Sequence, residues 1–308
     1  MRSSTVSLKL MGNQFEFTAV NPSLEACQEG VAIGVEEVKR IEKLLTTFSE
    51  ESVTALINKH AGLEPIHVPD EVFYLIERCQ RISSITQGAF DITYGSVDKS
   101  YWNFDTKMTR LPDLKESAQA VKLVNYKNVI IDQIEKTVFL KNRGMRIGFG
   151  GIGKGYAAEM AKQKMKQSGI ENGVVNAAGD LTAWGTQVDG RHWTIGIADP
   201  NHKLSLFSQF EIVEKSVATS GDYEKFVIID GKRFSHTIDP VTGMPAQGIK
   251  SVTIICGNAE LADALTTPII VMGKEAGLHM INQLHGVEAI IIDENDKIYY
   301  SNNIKINR

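Results

Sequence analysis

Apolar residues recur at intervals of three and four positions in two segments near the start of the chain. The first segment, residues 23–47, carries five of them: Val31, Val35, Val38, Ile41 and Leu45. A second run begins after Pro69-Asp70 and continues through Val72, Leu75, Cys79 and Ile82. This spacing places each set on one side of a helix, so we predict two long amphipathic helices.

Strand patterns dominate the rest of the chain. The first ten residues predict a strand, and residues 128–140 predict a hairpin made of two short apolar runs about a polar turn. Asp230-Gly231 is a dipeptide typical of two-residue hairpin turns. Further strands are predicted at 192–198, 209–213, 225–230, 249–255, 287–292 and 297–300, and further helices at 258–267 and 273–284.

From Gly144 the pattern predicts a strand, a glycine-rich turn, a helix over about 155–167 and a strand at Val174-Val175, an order that resembles one βαβ unit. Residues 96–112 are predicted to be an irregular loop, and residues 216–223 a hydroxyl-rich turn. Several strands follow one another without helices between them, which favours an α+β fold with mixed or antiparallel sheets and packed helices. Since no linker or repeat interrupts the chain, we expect one continuous domain over residues 1–308, with two lobes.

Composition narrows the class of protein. The chain has 308 residues, 43% of them hydrophobic, and a net charge of −4 without a basic run, which argues against a nucleic-acid partner. Its three cysteines form no CxxC motif, so we expect buried thiols rather than disulfides or a zinc site. The N-terminal residues lack the apolar core of a signal peptide. We expect either a cytoplasmic protein, or a periplasmic or membrane-anchored one whose leader was removed.

Five glycines fall among the eight residues 148–155. Between a strand and a helix, such a turn lets backbone N–H groups approach a phosphate; a tight turn packed against a neighbour is the alternative. Gly148-x-Gly150-x-x-Gly153 fits the dinucleotide-binding motif, but Asn176 stands where that motif has an acidic residue. A Rossmann dehydrogenase therefore remains a minor alternative.

Two further motifs carry reactive groups. His236 precedes the turn-forming sequence of residues 239–243, and a histidine held there can act as a general acid or base; a histidine bonded only for structure is the alternative. Asp263 and Thr267 lie four residues apart, so one helix face presents a carboxylate and a hydroxyl that can hold Mg²⁺. A buried helix aspartate is the alternative there. Pro268 predicts the end of this helix.

Taken in order, these segments resemble the FAD:protein FMN transferase family, the ApbE-like flavin transferases. The specific motifs are His-Thr-Ile-Asp-Pro-x-Thr-Gly at residues 236–243 and Ala-Asp-Ala-Leu-x-Thr at residues 262–267. The resemblance covers nearly the whole chain and implies the ApbE-like α+β fold. Its other segments are Met11-Gly12-Asn13 and residues 44–58, 88–91, 150–156, 176–181 and 218–223.

The resemblance implies an enzyme that cleaves FAD with Mg²⁺, attaches FMN to a Thr or Ser hydroxyl of a partner protein and releases AMP. It implies that Asp263, Thr267 and the carbonyl of Gly151 bind the metal, and that His236 is the catalytic histidine. The residues implied to line the FAD site are Met11, Phe48, Ala89, Phe90, Asp91, Gly148, Lys154 and Thr237. Two of these differ from the usual family residues, since Gly148 replaces an Asp and Phe48 replaces a Tyr.

The resemblance also describes the partner. Acceptors of the family carry a Ser/Thr-Gly-Ala-Ser/Thr motif and are usually subunits of membrane electron-transfer complexes. This chain contains no such motif, so the expected acceptor is another protein. Two alternatives remain open: a Mg²⁺-dependent FAD pyrophosphatase that releases FMN and AMP, and a flavin-binding protein without enzymatic activity.

Overall fold

The computed structural model describes residues 1–98, 100–102, 108, 110–199, 202–221 and 226–304. The α-helices of this part are α1 (Leu24–Leu45), α2 (Val53–Lys59), α3 (Asp70–Ile85), α4 (Leu114–Ala120), α5 (Gly153–Gln167), α6 (Ala259–Met272) and α7 (Lys274–Ile281). Its strands are β1 (Arg2–Leu10), β2 (Asn13–Asn21), β3 (Ile66–His67), β4 (Val129–Asp132), β5 (Thr137–Leu140), β6 (Asn172–Ala177), β7 (Asp180–Trp184), β8 (Trp193–Asp199), β9 (His202–Ile212), β10 (Ser216–Gly221), β11 (Phe226–Ile229), β12 (Lys232–Ser235), β13 (Ile249–Cys256), β14 (Glu288–Asp293) and β15 (Ile298–Tyr300). Short 3-10 turns occupy Ile92–Ser96 and Tyr126–Asn128.

The two amphipathic helices lie where the apolar spacing predicted them. The side chain of Ser23 accepts a hydrogen bond from the N–H of Ala26 and so caps the start of α1. Pro69 precedes α3, whose first turn carries Asp70 and Glu71 beside the positive end of the helix dipole. Both helix starts are therefore encoded by local residues.

Eight strands form the main sheet in the order β1-β2-β6-β7-β10-β13-β14-β15. Neighbouring strands pair antiparallel throughout, and β6 lies between β2 and β7. The predicted βαβ unit is wrong, because no strand runs through residues 144–152 and β6 has no parallel neighbour. A Rossmann dinucleotide site needs parallel strands, so the structure rules out the dehydrogenase alternative.

Two other predictions are also wrong. Residues 216–221 are not a turn but strand β10, which pairs with β13 and β7 inside the main sheet; residues 222–223 lie outside the described part. Helix α6 does not end at Pro268 but continues to Met272. Of the predicted loop at 96–112, the described residues after Ser96 carry no helix or strand. Two further elements form with other bounds than predicted. The helix predicted at 273–284 is α7, which covers only Lys274–Ile281, and the strand predicted at 209–213 is part of β9, which begins at His202.

Both faces of the main sheet are covered. On β14, Ala289 and Ile291 contact the core beneath helices α1, α3, α5 and α6, whereas Ile290 contacts a second core. That second core includes Ile195 of β8 and Ile212 of β9, so the β8–β9 hairpin covers the opposite face. Because successive strand residues point to opposite faces, nearly every residue of the central strands is buried. The α+β class is confirmed, and the single domain over 1–308 stays a prediction.

Several smaller predictions are confirmed. The β4–β5 and β11–β12 hairpins form, and Asp230 and Gly231 both adopt positive φ at the second turn, at 50° and 74°. The three cysteines are free and buried. Among the described residues, none of the helices combines the length and the apolar character needed to cross a membrane.

Candidate active site

The glycine-rich turn at residues 148–155 is held from two sides before it enters α5. The side-chain amide of Asn58, at the end of α2, donates to the carbonyl of Ile147 at 3.0 Å and accepts from its N–H at 2.7 Å. The N–H of Gly148 donates to the carbonyl of Ile92 at 3.0 Å. At the start of α5, Ile152 provides no side-chain cap. The turn is thus fixed in position at the N-terminus of α5, where the N–H of Gly153 donates to the carbonyl of Phe149 at 2.6 Å.

Helices α5 and α6 are in close contact at Gly155. A Cβ on this residue would lie 2.2 Å from the carbonyl oxygen of Ala259 and 2.6 Å from the Cβ of Asp263, so a side chain does not fit. The N–H of Gly155 donates to Oδ2 of Asp263 at 2.9 Å. The Asp263 residue is only 3% exposed. Gly155 therefore serves helix packing, the alternative left open above, and it brings the carboxylate of Asp263 to the first turn of α5.

One ammonium group lies between two buried carboxylates at this contact. Nζ of Lys154 forms a short hydrogen bond with Oδ2 of Asp180 and lies 3.3 Å from Oδ1 of Asp263. Burial lowers the pKa of Lys154, but the two carboxylates outweigh it and hold that pKa above the usual range. Burial and the charge of Asp263 raise the pKa of Asp180, and Lys154 opposes them. The cluster thus consists of two carboxylates, of Asp180 and Asp263, and one ammonium group, of Lys154.

The donor atoms near Asp263 fit a small divalent cation. Because the N–H of Gly155 donates to Asp263, it does not close the usual helical bond to the carbonyl of Gly151, and among the described residues that carbonyl receives no backbone donor. Thr267 lies one helical turn beyond Asp263 and is partly exposed. A carboxylate, a hydroxyl and a carbonyl are oxygen ligands of the type that Mg²⁺ takes. Pro268 has no N–H for the carbonyl of Ala264, although α6 continues past it.

The segment from Ala89 to Asp91 borders the glycine-rich turn. Cε2 of Phe90 lies 3.5 Å from the position that a Cβ on Gly151 would take, so the ring contacts the turn directly. Oδ1 of Asp91 accepts from the N–H and hydroxyl of Thr93, and Oδ2 accepts from the N–H of Tyr126 at 2.8 Å. Ala89 and Phe90 are buried. Asp91 thus connects the start of one 3-10 turn to the other and fixes the backbone beside Phe90.

Met11 and Phe48 differ in how they lie relative to the turn. Met11 has a positive φ of 50°, and its N–H donates to Oε1 of Glu42 at 2.8 Å. Its Cε lies 3.5 Å from the position of a Cβ on Gly153. Phe48 is fully exposed, in the connection between α1 and α2, and the neighbouring Thr47 lies closest to Gly148. Met11 and Phe90 thus flank the turn, whereas Phe48 reaches into solvent.

His236 follows β12 directly and is half-buried. The loop behind it is closed by hydrogen bonds from the N–H of Gly243 to the carbonyl of Asp239 and from the N–H of Ala246 to the carbonyl of Thr237, at 2.9 and 2.8 Å. A Cβ on Gly243 would lie 2.1 Å from the carbonyl oxygen of Ser117, so the loop rests on α4. Thr237 is 8% exposed.

The loop after His236 is also connected to the Phe90 segment. The N–H of Ile238 donates to the hydroxyl of Tyr94 at 3.3 Å, and Tyr94 lies in the same 3-10 turn that Asp91 starts. Burial raises the pKa of Tyr94 to about 12, so this hydroxyl stays neutral. One continuous set of contacts therefore joins the predicted catalytic histidine to the predicted FAD-lining residues.

Sequence reasoning missed the positions of three contributors. Asp180 was noticed only as part of a turn-forming segment, Asn58 only as part of a family motif, and Glu42 not at all. Asp180 lies next to Ala178 and Gly179, whose positive φ values of 55° and 102° turn β6 into β7. That turn was readable from the sequence, but the direction of the Asp180 carboxylate was not.

This chain is similar to known proteins over most of its length. The model of the ApbE family matches residues 11–291. An FAD:protein FMN transferase of Klebsiella pneumoniae (strain 342) is 32% identical over 266 residues, which span 86% of this chain and 82% of that protein. A protein of the same name from Treponema pallidum (strain Nichols) is 31% identical over 268 residues, spanning 82% of this chain and 73% of that protein.

The fold is likewise shared with a solved structure. The crystal structure of the ApbE protein from Thermotoga maritima aligns with a TM-score of 0.87 at 31% identity and covers 98% of this chain and 97% of its own. The predicted ApbE-like fold is therefore confirmed. With a family model matched over most of its length, the chain belongs to the ApbE family.

Proposed function

We propose that this protein is a Mg²⁺-dependent FAD:protein FMN transferase that attaches FMN to a Thr or Ser hydroxyl of a partner protein and releases AMP. Its membership in the ApbE family and its similarity to two proteins named FAD:protein FMN transferase support the proposal. The partner is expected to be a subunit of a membrane electron-transfer complex that carries the Ser/Thr-Gly-Ala-Ser/Thr motif.

The proposal rests above all on the hydrogen bond between Gly155 and Asp263. It places a buried carboxylate at the glycine-rich turn and leaves the carbonyl of Gly151 without a backbone donor among the described residues. Gly151, Asp263 and Thr267 would hold the metal. When bound, Mg²⁺ offsets the negative charge of the pyrophosphate oxygens as the phosphorus–oxygen bond breaks.

Other residues of the chain would bind the flavin ring and the phosphates of FAD. Met11 and Phe90 flank the turn and offer apolar surface to the flavin ring, and exposed Phe48 can stack on it. Lys154 lies at the start of α5, where the phosphates would lie, with its ammonium paired with Asp180 and Asp263. These contacts orient FAD so that one phosphorus faces the acceptor hydroxyl.

The transfer itself exchanges one phosphorus–oxygen bond for another. The acceptor hydroxyl oxygen bonds to the phosphorus of the FMN half, the bond from that phosphorus to the bridging oxygen breaks, and AMP leaves. A neutral hydroxyl is a weak nucleophile, so a base must take its proton. His236, half-buried beside the loop that contacts Tyr94, is positioned for this role.

The test is incubation of the purified protein with FAD and a tagged domain that carries the motif Asp-x-Ser/Thr-Gly-Ala-Thr. The products are resolved by mass spectrometry, with and without Mg²⁺. We expect the acceptor to gain the mass of one FMN, with AMP released only when Mg²⁺ is present. Asp263→Asn should abolish the reaction. The matched control is Asp293→Asn. Asp293 is also buried, and its carboxylate accepts hydrogen bonds from the N–H groups of Asn295 and Lys297 in the turn after β14.

Other outcomes would select the other functions. Free FMN and AMP without a labelled acceptor would make the protein a pyrophosphatase, in which water takes the place of the acceptor hydroxyl. FAD that stays intact with Mg²⁺ and acceptor present would make it a flavin-binding protein. Turnover that persists in Asp263→Asn would overturn the assignment of the metal ligands.

A further inference from the structure

Asp180 is a buried carboxylate that contacts both the backbone of strand β10 and the side chain of Lys154. Its Oδ1 accepts from the N–H of Thr219 at 3.2 Å, and its Oδ2 accepts from Nζ of Lys154. The β7–β10 ladder pairs Ser216 with Thr182 and Val217 with Leu181 and then ends, so Thr219 lies past its last pair. Asp180 thus replaces the missing ladder partner with one oxygen and holds the ammonium with the other.

Lys154 contacts both carboxylates of the cluster. Its Nζ is hydrogen-bonded to Oδ2 of Asp180 and lies 3.3 Å from Oδ1 of Asp263. The side chains of Asp180 and Asp263 are 6% and 4% exposed and that of Lys154 is 26% exposed, so water screens the three charges only in part. A change at Asp180 is therefore felt by the Lys154–Asp263 pair.

A cation bound by Asp263 would compete with Lys154 for the same carboxylate. The ammonium and the metal both carry positive charge and repel each other at short range. If Lys154 had only Asp263 as a partner, metal binding would leave a partly buried ammonium without a counter-ion, which is costly. A second carboxylate removes this conflict.

We propose that Asp180 is a positioning residue that keeps Lys154 paired, so that Asp263 is available to the metal. The inference rests on the proposed function, because it takes Asp263 to be a metal ligand. It assigns to Asp180 a role in metal affinity through Lys154, separate from its hydrogen bond to Thr219.

The test measures Mn²⁺ binding to the protein without FAD, by electron paramagnetic resonance or calorimetry, so that its readout does not depend on catalysis. The four proteins are the wild type, Asp180→Asn, Lys154→Met and the double variant. Asn keeps an oxygen for the N–H of Thr219 but loses the charge that holds Lys154. Circular dichroism and thermal melting check that each variant is folded, with Asp293→Asn as the matched control.

We expect Asp180→Asn to weaken Mn²⁺ binding by about 10- to 100-fold, the range found when groups that orient a metal ligand are removed. The same substitution in the Lys154→Met background should have a much smaller effect, because no ammonium is left to compete. Lys154→Met alone should bind Mn²⁺ more tightly than the wild type, which keeps the inference testable even if Asp180→Asn does not fold. Asp180→Glu should restore part of the lost affinity.

An equal loss of affinity in both backgrounds would overturn the inference, because Asp180 would then act on the metal directly. Unchanged Mn²⁺ binding in Asp180→Asn would reduce its role to the bond with Thr219 and would also overturn it. If the wild type bound no Mn²⁺ at all, the proposed metal site itself would be wrong and the inference would fall with it.

Discussion

The N–H of Gly155 donates to Oδ2 of Asp263 at 2.9 Å, at a point where the two helices leave no room for a side chain. Backbone N–H groups in the first turn of a helix have no partner within that helix, so a carboxylate from a neighbouring helix can take one. The packing of α5 against α6 therefore fixes how far the carboxylate of Asp263 lies from the glycine-rich turn.

Gly155→Ala tests this contact. The added Cβ would lie 2.2 Å from the backbone oxygen of Ala259, so α5 and α6 must move apart. We expect the free energy of unfolding to fall by about 1–3 kcal/mol, the usual cost of overpacking, and Mn²⁺ binding to be lost. Urea unfolding and calorimetry measure the two effects.

Gly150→Ala is the matched control, since a Cβ at Gly150 meets no atom within 4 Å. It should change the free energy of unfolding by less than about 0.5 kcal/mol. Equal destabilisation by both substitutions would show that the turn is sensitive to any side chain and that the helix contact is not special.

His236→Ala should slow the transfer of FMN and leave the binding of FAD nearly unchanged. Loss of a positioned general base costs about 10²–10⁴-fold in rate. Single-turnover labelling of the acceptor gives the rate, and fluorescence titration gives the Kd for FAD. His285→Ala, at an exposed histidine after α7, serves as the control. A large rise in the Kd for FAD would instead make His236 a ligand contact.

Phe48→Ala should weaken FAD binding without affecting the fold. The side chain is fully exposed, so its removal should change the free energy of unfolding by less than about 0.5 kcal/mol. Stacking on the flavin ring should contribute about 0.5–1.5 kcal/mol to FAD binding, measured by titration. Ile134→Ala, at a residue 88% exposed in the β4–β5 turn, should change neither quantity. Unchanged FAD affinity in Phe48→Ala would remove Phe48 from the site.

Glu71→Gln should make the free energy of unfolding less dependent on pH in the acid range. The pKa of Glu71 lies below its ordinary value of 4.5, mainly because Arg40 donates two hydrogen bonds to its carboxylate. Burial raises the pKa of Glu71, whereas the hydrogen bond from the hydroxyl of Tyr156 lowers it further. A carboxyl with a lowered folded pKa stabilises the protein fully above the unfolded pKa, and this contribution is lost as the pH falls through the folded pKa. The difference between wild type and variant should therefore be largest at neutral pH and shrink below pH 4.5.

Urea midpoints measured across this range give the comparison. Glu36→Gln removes a more exposed ion pair with Lys39 and should have a smaller effect at every pH. A difference between wild type and Glu71→Gln that does not depend on pH would mean that the Arg40–Glu71 pair does not titrate with unfolding.

The amino-acid pattern alone located both long helices of the first half of the chain, the β4–β5 and β11–β12 hairpins and the motifs of the candidate site. Helix periodicity, the cap at Ser23 and the turn at Asp230-Gly231 act over a few neighbouring residues, so they can be read without knowing the fold. The α+β class followed from the order of the elements. The family motifs identified Asp263 and His236 as candidate site residues, because these motifs are also short and local.

Contacts between distant segments could not be read in this way. Residues 216–221 form a central strand although they are small and hydroxylic, because β13 and β7 supply partners on either side. Gly155 looked like part of a phosphate-binding turn until α6 was placed against it, and Asp180 looked like a turn residue until Lys154 was placed beside it. Pairing, close approach and ion pairing depend on segments 26 to more than 100 residues apart. No local pattern records which of those segments will meet.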